Sequence, residues 1–146
     1  MDYRKTYAWL MRERWIERRI RRLSIRRAEL LSCLTSASAG YDQPRVQHSR
    51  RDKMAAVMAE ADALDREIEE LLLKKADVVV EIGAAIELLE DENEKDVLTR
   101  FFVERKPMKD IAVEISYSLS RTYAFRDNGV RNLGKELQEK KEKEMC

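Results

Sequence analysis

The sequence contains little of what catalysis, metal binding or disulfide crosslinking requires. Among its 146 residues there are two cysteines and a single histidine, His48. These are too few for a disulfide framework or a four-ligand zinc site. They also do not supply the Ser-His-Asp or Cys-His groupings of nucleophilic enzymes. We therefore expect no enzyme activity, no metal and no cofactor, and we expect Cys33 to be an interior thiol.

Glycine and proline are also scarce, with four and two residues, and long apolar runs are missing. An apolar run such as 78–80 is far too short to cross a bilayer. The first residues contain several arginines and no small-residue cleavage site, so they do not predict a signal peptide. We expect a soluble, intracellular protein that does not enter a membrane.

Charge is abundant and unevenly distributed along the chain. Charged residues make up 39% of the sequence, against about 25% in an ordinary domain. With so few helix breakers, this composition predicts long helices and an all-α fold. The net charge is +8 over 1–53, −10 over 54–96 and +3 over 97–146. The opposite charges of the first two segments predict that they pair as helices, that the basic parts face a polyanion, or both.

Two long helices are predicted before residue 91. The first covers about 2–34 and carries arginines between 18 and 27, which we expect to form a solvated or acid-paired helix face rather than to bind DNA. The second covers about 49–90, and its inward positions follow a 3-4 alternation typical of a coiled-coil seam. They are Met54, Val57, Ala61, Leu64, Ile68, Leu71, Lys75, Val78, Ile82, Ala85 and Leu89. This seam packs against the first helix as an antiparallel hairpin, against a second copy of itself, or both.

The segment 94–137 predicts a helix-turn-helix. A short helix is expected from Pro107 to Ile115, because proline suits a first helical position. A tight turn follows, and Ser118 caps a third helix that begins at Leu119. The predicted organisation is therefore a helical hairpin or coiled-coil arm over 1–90, a helix-turn-helix over 91–137 and a charged tail over 138–146.

Several short motifs resemble known regulators. The segments 98–102 (LTRFF) and 108–112 (MKDIA), with Ser118 and the pair Val130 and Leu133, resemble the region 4 helix-turn-helix of sigma-70 factors. The segments 117–123 (YSLSRTY) and 45–49 (RVQHS) are more similar to the ArpU/RinA-type late transcriptional regulators of phages. Two departures stand out. Ser116 occupies a position where such turns usually have glycine, and Gly129 lies inside the third helix.

A helix-turn-helix would bind duplex DNA through two sets of side chains. Base edges would be read by outward residues of the third helix, and phosphates would be held by the helix N-terminus and by basic side chains. The predicted base-reading residues are Ser120, Arg121, Ala124 and Asn128. The predicted phosphate-binding residues are Lys109, Ser118, Arg126 and Arg131.

The resemblance implies a transcriptional regulator of phage or prophage genes that works in the cytoplasm of a bacterial host cell. It also implies that this regulator binds specific sequences in double-stranded DNA and acts with RNA polymerase at a promoter. We expect a homo-oligomer formed through the coiled coil, which would place two readers on a repeated site. The rival is a phage structural or assembly protein, such as a small terminase-like subunit for DNA packaging. A pure protein-interaction module is a further alternative.

Overall fold

Helices make up most of the part of the chain that the structure describes. The structure is a computed structural model that describes residues 1–38 and 44–145. These residues contain no β-strand. Side chains are described for 1–35 and 49–145. The expected all-α class is confirmed over this range. The side chains of residues 45–48 of the RVQHS motif, which include His48, and all of Cys146 lie outside the described residues.

Two compact units make up the chain. The first unit, which we call the α6 unit, comprises Met1–Glu13 and Ala76–Cys146, and the second, the long-helix unit, comprises Arg14–Lys75. The expected domains, 1–90, 91–137 and 138–146, divide the chain differently, and they stay a prediction.

The long-helix unit contains most of α2 (Arg12–Ser38) and most of α3 (Pro44–Ile86), and the last part of α3, residues 76–86, belongs to the α6 unit. Helix α3 begins at Pro44 rather than near Ser49, and it ends at Ile86 rather than at Glu90. Its predicted seam is turned away from solvent. Within this unit Ala61 and Leu64 are buried, and the remaining seam residues are half-buried. These half-buried residues are Met54, Val57, Ile68, Leu71 and Lys75.

Ion pairs join α2 to α3 along their length. They are Arg19 with Glu67, Arg26 with Glu60 and Arg27 with Asp65. Arg19 pairs with the latest of the three acidic residues of α3, and Arg26 and Arg27 pair with the two earlier ones, which is the order found in antiparallel helices. Cys33 is exposed, so the expectation of an interior thiol is wrong. Its position falls outside the 3-4 spacing of the half-buried residues of α2.

The α6 unit is built around the last helix. It contains α1 (Tyr3–Leu10), α4 (Glu92–Leu98), α5 (Met108–Ile115) and α6 (Leu119–Met145). A π-helical turn over Thr99–Val103 continues α4. Helices α1, α4 and α5 all pack against α6. Helix α6 also runs to Met145, through the residues expected to form a charged tail.

The core of this unit consists of apolar side chains that are almost fully buried. They are Leu10, Ile82, Ile86, Val97, Leu98, Phe102, Ile111, Val130 and Leu133. Leu10 lies on α1, which is separated from α2 at Met11. A single first helix from Asp2 was expected, so the sequence analysis missed this break. Asp2 instead caps α1 and accepts a hydrogen bond from the Lys5 amide (2.8 Å).

Candidate nucleic-acid interface

Helix α5 begins and ends close to where the sequence predicts. Pro107 directly precedes its first residue. Met108, Ile111 and Ala112, on the inner face of the helix, are buried. At its C-terminal end Ser116 has a positive φ of 61°. The Tyr117 amide donates to the Ala112 carbonyl (3.1 Å), and the Ser116 amide donates to the Val113 carbonyl (3.2 Å). This pair of bonds is a Schellman motif, in which glycine is usual, so Ser116 carries the backbone strain that the sequence suggested.

Ser118 starts helix α6. Its hydroxyl oxygen accepts the Arg121 amide proton (3.1 Å), and its carbonyl accepts the Thr122 hydroxyl (2.8 Å). Because the hydroxyl satisfies one free amide, the helix is fixed directly after the turn. Thr122 and Phe125 are buried on the inner face of α6. Phe125 there joins a cluster with Val97, Met108 and Ile111.

The opposite face of α6 carries the predicted base-reading residues. Ser120, Arg121 and Asn128 are exposed, and Ala124 between them is half-buried. Since they are spaced three or four residues apart, they share one side of the helix. The structure therefore brings these four predicted residues together on one stripe, which we call the outer stripe of α6. Farther along the helix the stripe continues through Arg131 and Lys135, both exposed.

Positive charge on the outer stripe is available for a ligand. Arg121 makes no ion pair with any described residue, although its guanidinium lies 5.0 Å from the Phe125 ring centroid. Lys109, which is on α5 and not on the stripe, also makes no ion pair with any described residue. Arg131 donates to the Asn128 side-chain oxygen (3.4 Å), and its guanidinium lies over the Tyr3 ring (5.5 Å). These contacts leave the positive charges without a carboxylate to neutralise them.

Asp127 is the single carboxylate between residues 119 and 135. It accepts a hydrogen bond from the Tyr3 hydroxyl (2.8 Å) and pairs with Arg126 (3.3 Å). Burial, followed by the hydrogen bond to Asp127, raises the pKa of the Tyr3 phenol. Because Asp127 is occupied in this way, it does not offset the positive charge of the outer stripe.

Arg126 differs from the other predicted phosphate-binding residues. Its guanidinium lies near three aromatic rings, those of Tyr123 (4.8 Å), Phe101 (5.1 Å) and Tyr7 (5.9 Å). Its side chain is only 17% exposed. These contacts join α6 to α1 and to the π-helical turn. Sequence analysis missed them because Tyr7 and Phe101 are distant from Arg126 in the chain.

Two glycines of α6 permit close approach of other helices. A Cβ atom on Gly129 would lie 3.2 Å from Leu98 Cδ1, and one on Gly134 would lie 2.6 Å from Thr6 Oγ1 and 2.7 Å from the Met1 carbonyl oxygen. The first contact is with α4, and the other two are with the N-terminal end of the chain. Gly129, a departure from the resembled pattern, therefore has a packing reason in this protein.

Behind the interface lies a buried polar pair. Glu94 of α4 is buried and accepts two hydrogen bonds from the Asn132 amide (2.8 and 3.1 Å). Burial, together with the nearby charge of Asp91, raises the pKa of the Glu94 carboxyl, and the hydrogen bonds from Asn132 oppose this rise. The pair ties α4 to the same helix that carries the outer stripe.

Helix α5 carries a carboxylate that basic neighbours neutralise. Glu114 pairs with Lys106 (2.9 Å) and with Arg100 (3.0 Å). The hydrogen bond from Lys106, with support from Arg100, lowers the pKa of the Glu114 carboxyl. This side chain therefore stays ionised and paired beside the proposed interface.

Other kinds of site were also sought in the described residues. No group of three or more His, Cys, Asp or Glu side chains there could hold a metal ion. None of the helices in the same part of the chain has the length and apolar character needed to span a membrane.

Comparisons with known proteins do not identify a relative. Neither models of protein families, nor curated proteins, nor solved structures match this chain.

Proposed function

We propose that this protein binds specific sequences in double-stranded DNA and regulates transcription of phage or prophage genes, with RNA polymerase as a partner. In this proposal α5, the turn and α6 act as a helix-turn-helix, and α6 is the recognition helix. The resemblance to sigma-70 region 4 and to ArpU/RinA-type regulators remains part of the proposal. We also propose that the protein is not an enzyme.

One observation carries the proposal: the outer stripe of α6 is polar, basic and free of unpaired carboxylates. Arginine at the start of a recognition helix pairs with guanine O6 and N7, and asparagine pairs with adenine. Arg121 and Asn128 are exposed and suit these two contacts. Ala124 between them is small enough for close approach and for contact with a thymine methyl group.

The surroundings of the stripe suit phosphate binding. Ser118 fixes the first turn of α6, whose amides point outward along the helix axis. Such amides bind anions, and exposed Lys109 and Arg131 add positive charge on either side. Arg126 contributes differently from the others, because its aromatic contacts favour holding α6 in place over binding phosphate.

We further propose that α2 and α3 of one chain form an antiparallel hairpin or coiled coil that carries this module. The ordered ion pairs between the two helices support the pairing within a single chain. They also account for half of the arginine cluster. Arg19, Arg26 and Arg27 pair with acidic side chains, which favours pairing over DNA contact for these three residues.

The salt dependence of binding tests the proposal. The purified protein should bind random duplex DNA, with an affinity that falls steeply as salt rises. Replacing Lys109 or Arg131 by alanine should each lower the slope of log K against log[salt] by about 0.9. Lys143→Ala, at the far end of α6, is the matched control and should leave the slope unchanged. Failure to bind duplex DNA at about 50 mM salt would refute the proposal.

A further inference from the structure

The ion pairs of the long-helix unit define two different sides of the α2–α3 pair. Glu60 and Glu67 are seven residues apart and share one side of α3, where Arg26 and Arg19 reach them. Asp65 is two residues from Glu67, about 200° around the helix. Its pair with Arg27 therefore lies on the other side.

An exposed stripe of α2 lies on the first of these sides. It consists of Trp15, Arg18, Arg22 and Ile25, spaced three and four residues apart. Trp15 is 49% exposed and Ile25 is 59% exposed. Arg18 and Arg22 make no ion pair with any described residue. We call this set the basic stripe; it is next to Arg19 and Arg26 on the helix surface.

An exposed stripe of α3 lies on the second side. It consists of Met58, Asp62, Asp65, Glu69 and Leu72, again at steps of three and four. Met58 is 45% exposed and Leu72 is 50% exposed. Asp62 and Glu69 have no ion-pair partner among the side chains that the structure describes. We call this set the acidic stripe.

We propose that the basic stripe of one copy binds the acidic stripe of a second copy. Each stripe has an exposed large apolar side chain at both ends and charges of one sign between them. The charges are therefore complementary, because Arg18 and Arg22 can face Asp62 and Glu69. The apolar ends lie about 15 Å apart on the basic stripe and about 21 Å apart on the acidic stripe, so an apolar side chain at one end of each stripe can meet its counterpart. Coiled coils pair in the same way: apolar contacts supply the affinity, and flanking charges determine which partner is bound.

The two stripes face opposite sides, so a single neighbour cannot engage both. The interface is head-to-tail, and such interfaces close as rings or grow as chains of copies. This inference rests on the proposed pairing of α2 with α3 within one chain, but it does not depend on DNA binding. It goes beyond the proposed function by naming the surfaces that join the copies.

A charge-swap experiment tests the proposal. Full-length protein without DNA is analysed by sedimentation equilibrium as wild type, as Arg18→Glu/Arg22→Glu and as Asp62→Arg/Glu69→Arg. We expect wild type to form species larger than a dimer, and each variant alone to dissociate with an apparent constant at least about tenfold higher. An equal mixture of the two variants, and the chain carrying all four changes, should associate again.

Controls separate this result from misfolding. Circular dichroism should give the same helicity for all variants, because every changed side chain is exposed. Lys140→Glu/Lys141→Glu is a matched reversal elsewhere and should not alter association. Recovery in the mixture would come from complementary charge, since two misfolded variants would not restore each other.

Three outcomes would overturn the proposal. The first is a monomeric wild type at all concentrations, and the second is a mixture that stays dissociated. The third is that Arg18→Glu/Arg22→Glu associates normally but binds duplex DNA less tightly, which would make the basic stripe a nucleic-acid surface. Because association is measured without DNA, failure here is distinct from failure of the DNA-binding proposal.

Discussion

Contacts made by a few side chains hold α6 against the other helices of the α6 unit. Arg126 joins three aromatic rings and Asp127, and Tyr3 binds the same carboxylate. Arginine suits this position because its planar group stacks on rings while its N–H groups donate to a carboxylate. The residues that support the proposed reader are thus different from the ones that would touch DNA.

The role of Arg126 can be tested by a substitution that keeps its charge. Arg126→Lys retains the positive charge but loses the planar stacking, so the free energy of unfolding should fall by about 1–2 kcal/mol in urea denaturation. The salt slope of DNA binding should stay the same. Arg131→Lys, on the exposed stripe, should change the unfolding free energy by less than about 0.5 kcal/mol. If Arg131→Lys lowered the free energy of unfolding more than Arg126→Lys does, Arg126 would instead be assigned to phosphate binding.

Glu94 makes the stability of the unit depend on pH. Burial raises the pKa of its carboxyl in the folded state, so the folded protein holds the proton more tightly than the unfolded chain does. The resulting stability is fully present below the unfolded pKa, about 4.3, and it is lost as pH rises through the raised folded value.

The Glu94→Gln variant isolates this contribution. Glutamine keeps an oxygen that accepts from Asn132 but does not ionise. The unfolding free energy of wild type, relative to this variant, should therefore decline as pH rises above about 4.3. Urea denaturation of both proteins between about pH 4 and 8 measures this difference. A difference that stays constant, or that grows with pH, would contradict the assignment.

Helix packing around α6 depends on where small residues lie. Gly134 is in contact with Thr6 and Met1, whereas Gly83 of α3 has open space where a Cβ would be. Both positions are helical, so alanine improves helix propensity at each, by about 0.8–1 kcal/mol. Only at Gly134 does the added methyl group meet other atoms.

The two alanine substitutions should therefore act in opposite directions. Gly83→Ala should raise the free energy of unfolding by up to about 1 kcal/mol, and Gly134→Ala should lower it by about 1–3 kcal/mol. Thermal and urea denaturation of the two variants, with wild type, provide the comparison. A stabilised Gly134→Ala protein would mean that α1 does not pack against α6 as described.

Elements with a repeated local pattern could be predicted from the sequence. The seam of α3 follows from its 3-4 spacing, and even Lys75, its polar member, is half-buried as the pattern requires. Pro107 and Ser118 mark the starts of α5 and α6 because their chemistry acts within one turn of helix. Local signals of this kind need no knowledge of the rest of the chain.

Contacts between distant segments could not be predicted in this way. Helix α1 packs on α6 where Tyr3 donates to Asp127 and where Thr6 lies against Gly134, and the two residues of each pair are more than 100 residues apart in the chain. No periodic pattern connects them. The stack of Tyr7 and Phe101 around Arg126, and the burial of Glu94 beside Asn132, likewise join residues that are distant in the chain, so neither could be predicted from a local pattern.

At the scale of the whole molecule, the surface proposed to bind DNA and the surfaces proposed to join copies belong to different units. The outer stripe of α6 belongs to one compact unit, and the basic and acidic stripes belong to the other. Variants in one unit should therefore leave the function of the other measurable. This separation also distinguishes a regulator from a packaging subunit, because the number of joined copies can be measured apart from sequence preference.

Selection from random duplex DNA tests the central claim most directly. Wild type is compared with Arg121→Ala/Asn128→Ala, and Lys140→Ala/Lys141→Ala at the other end of α6 is the matched control. Wild type and control should enrich the same sequence motif, and the first variant should lose that enrichment by tenfold or more, about 1.4 kcal/mol. If no motif is enriched, or if the Arg121→Ala/Asn128→Ala protein enriches the same motif as wild type, α6 does not read DNA.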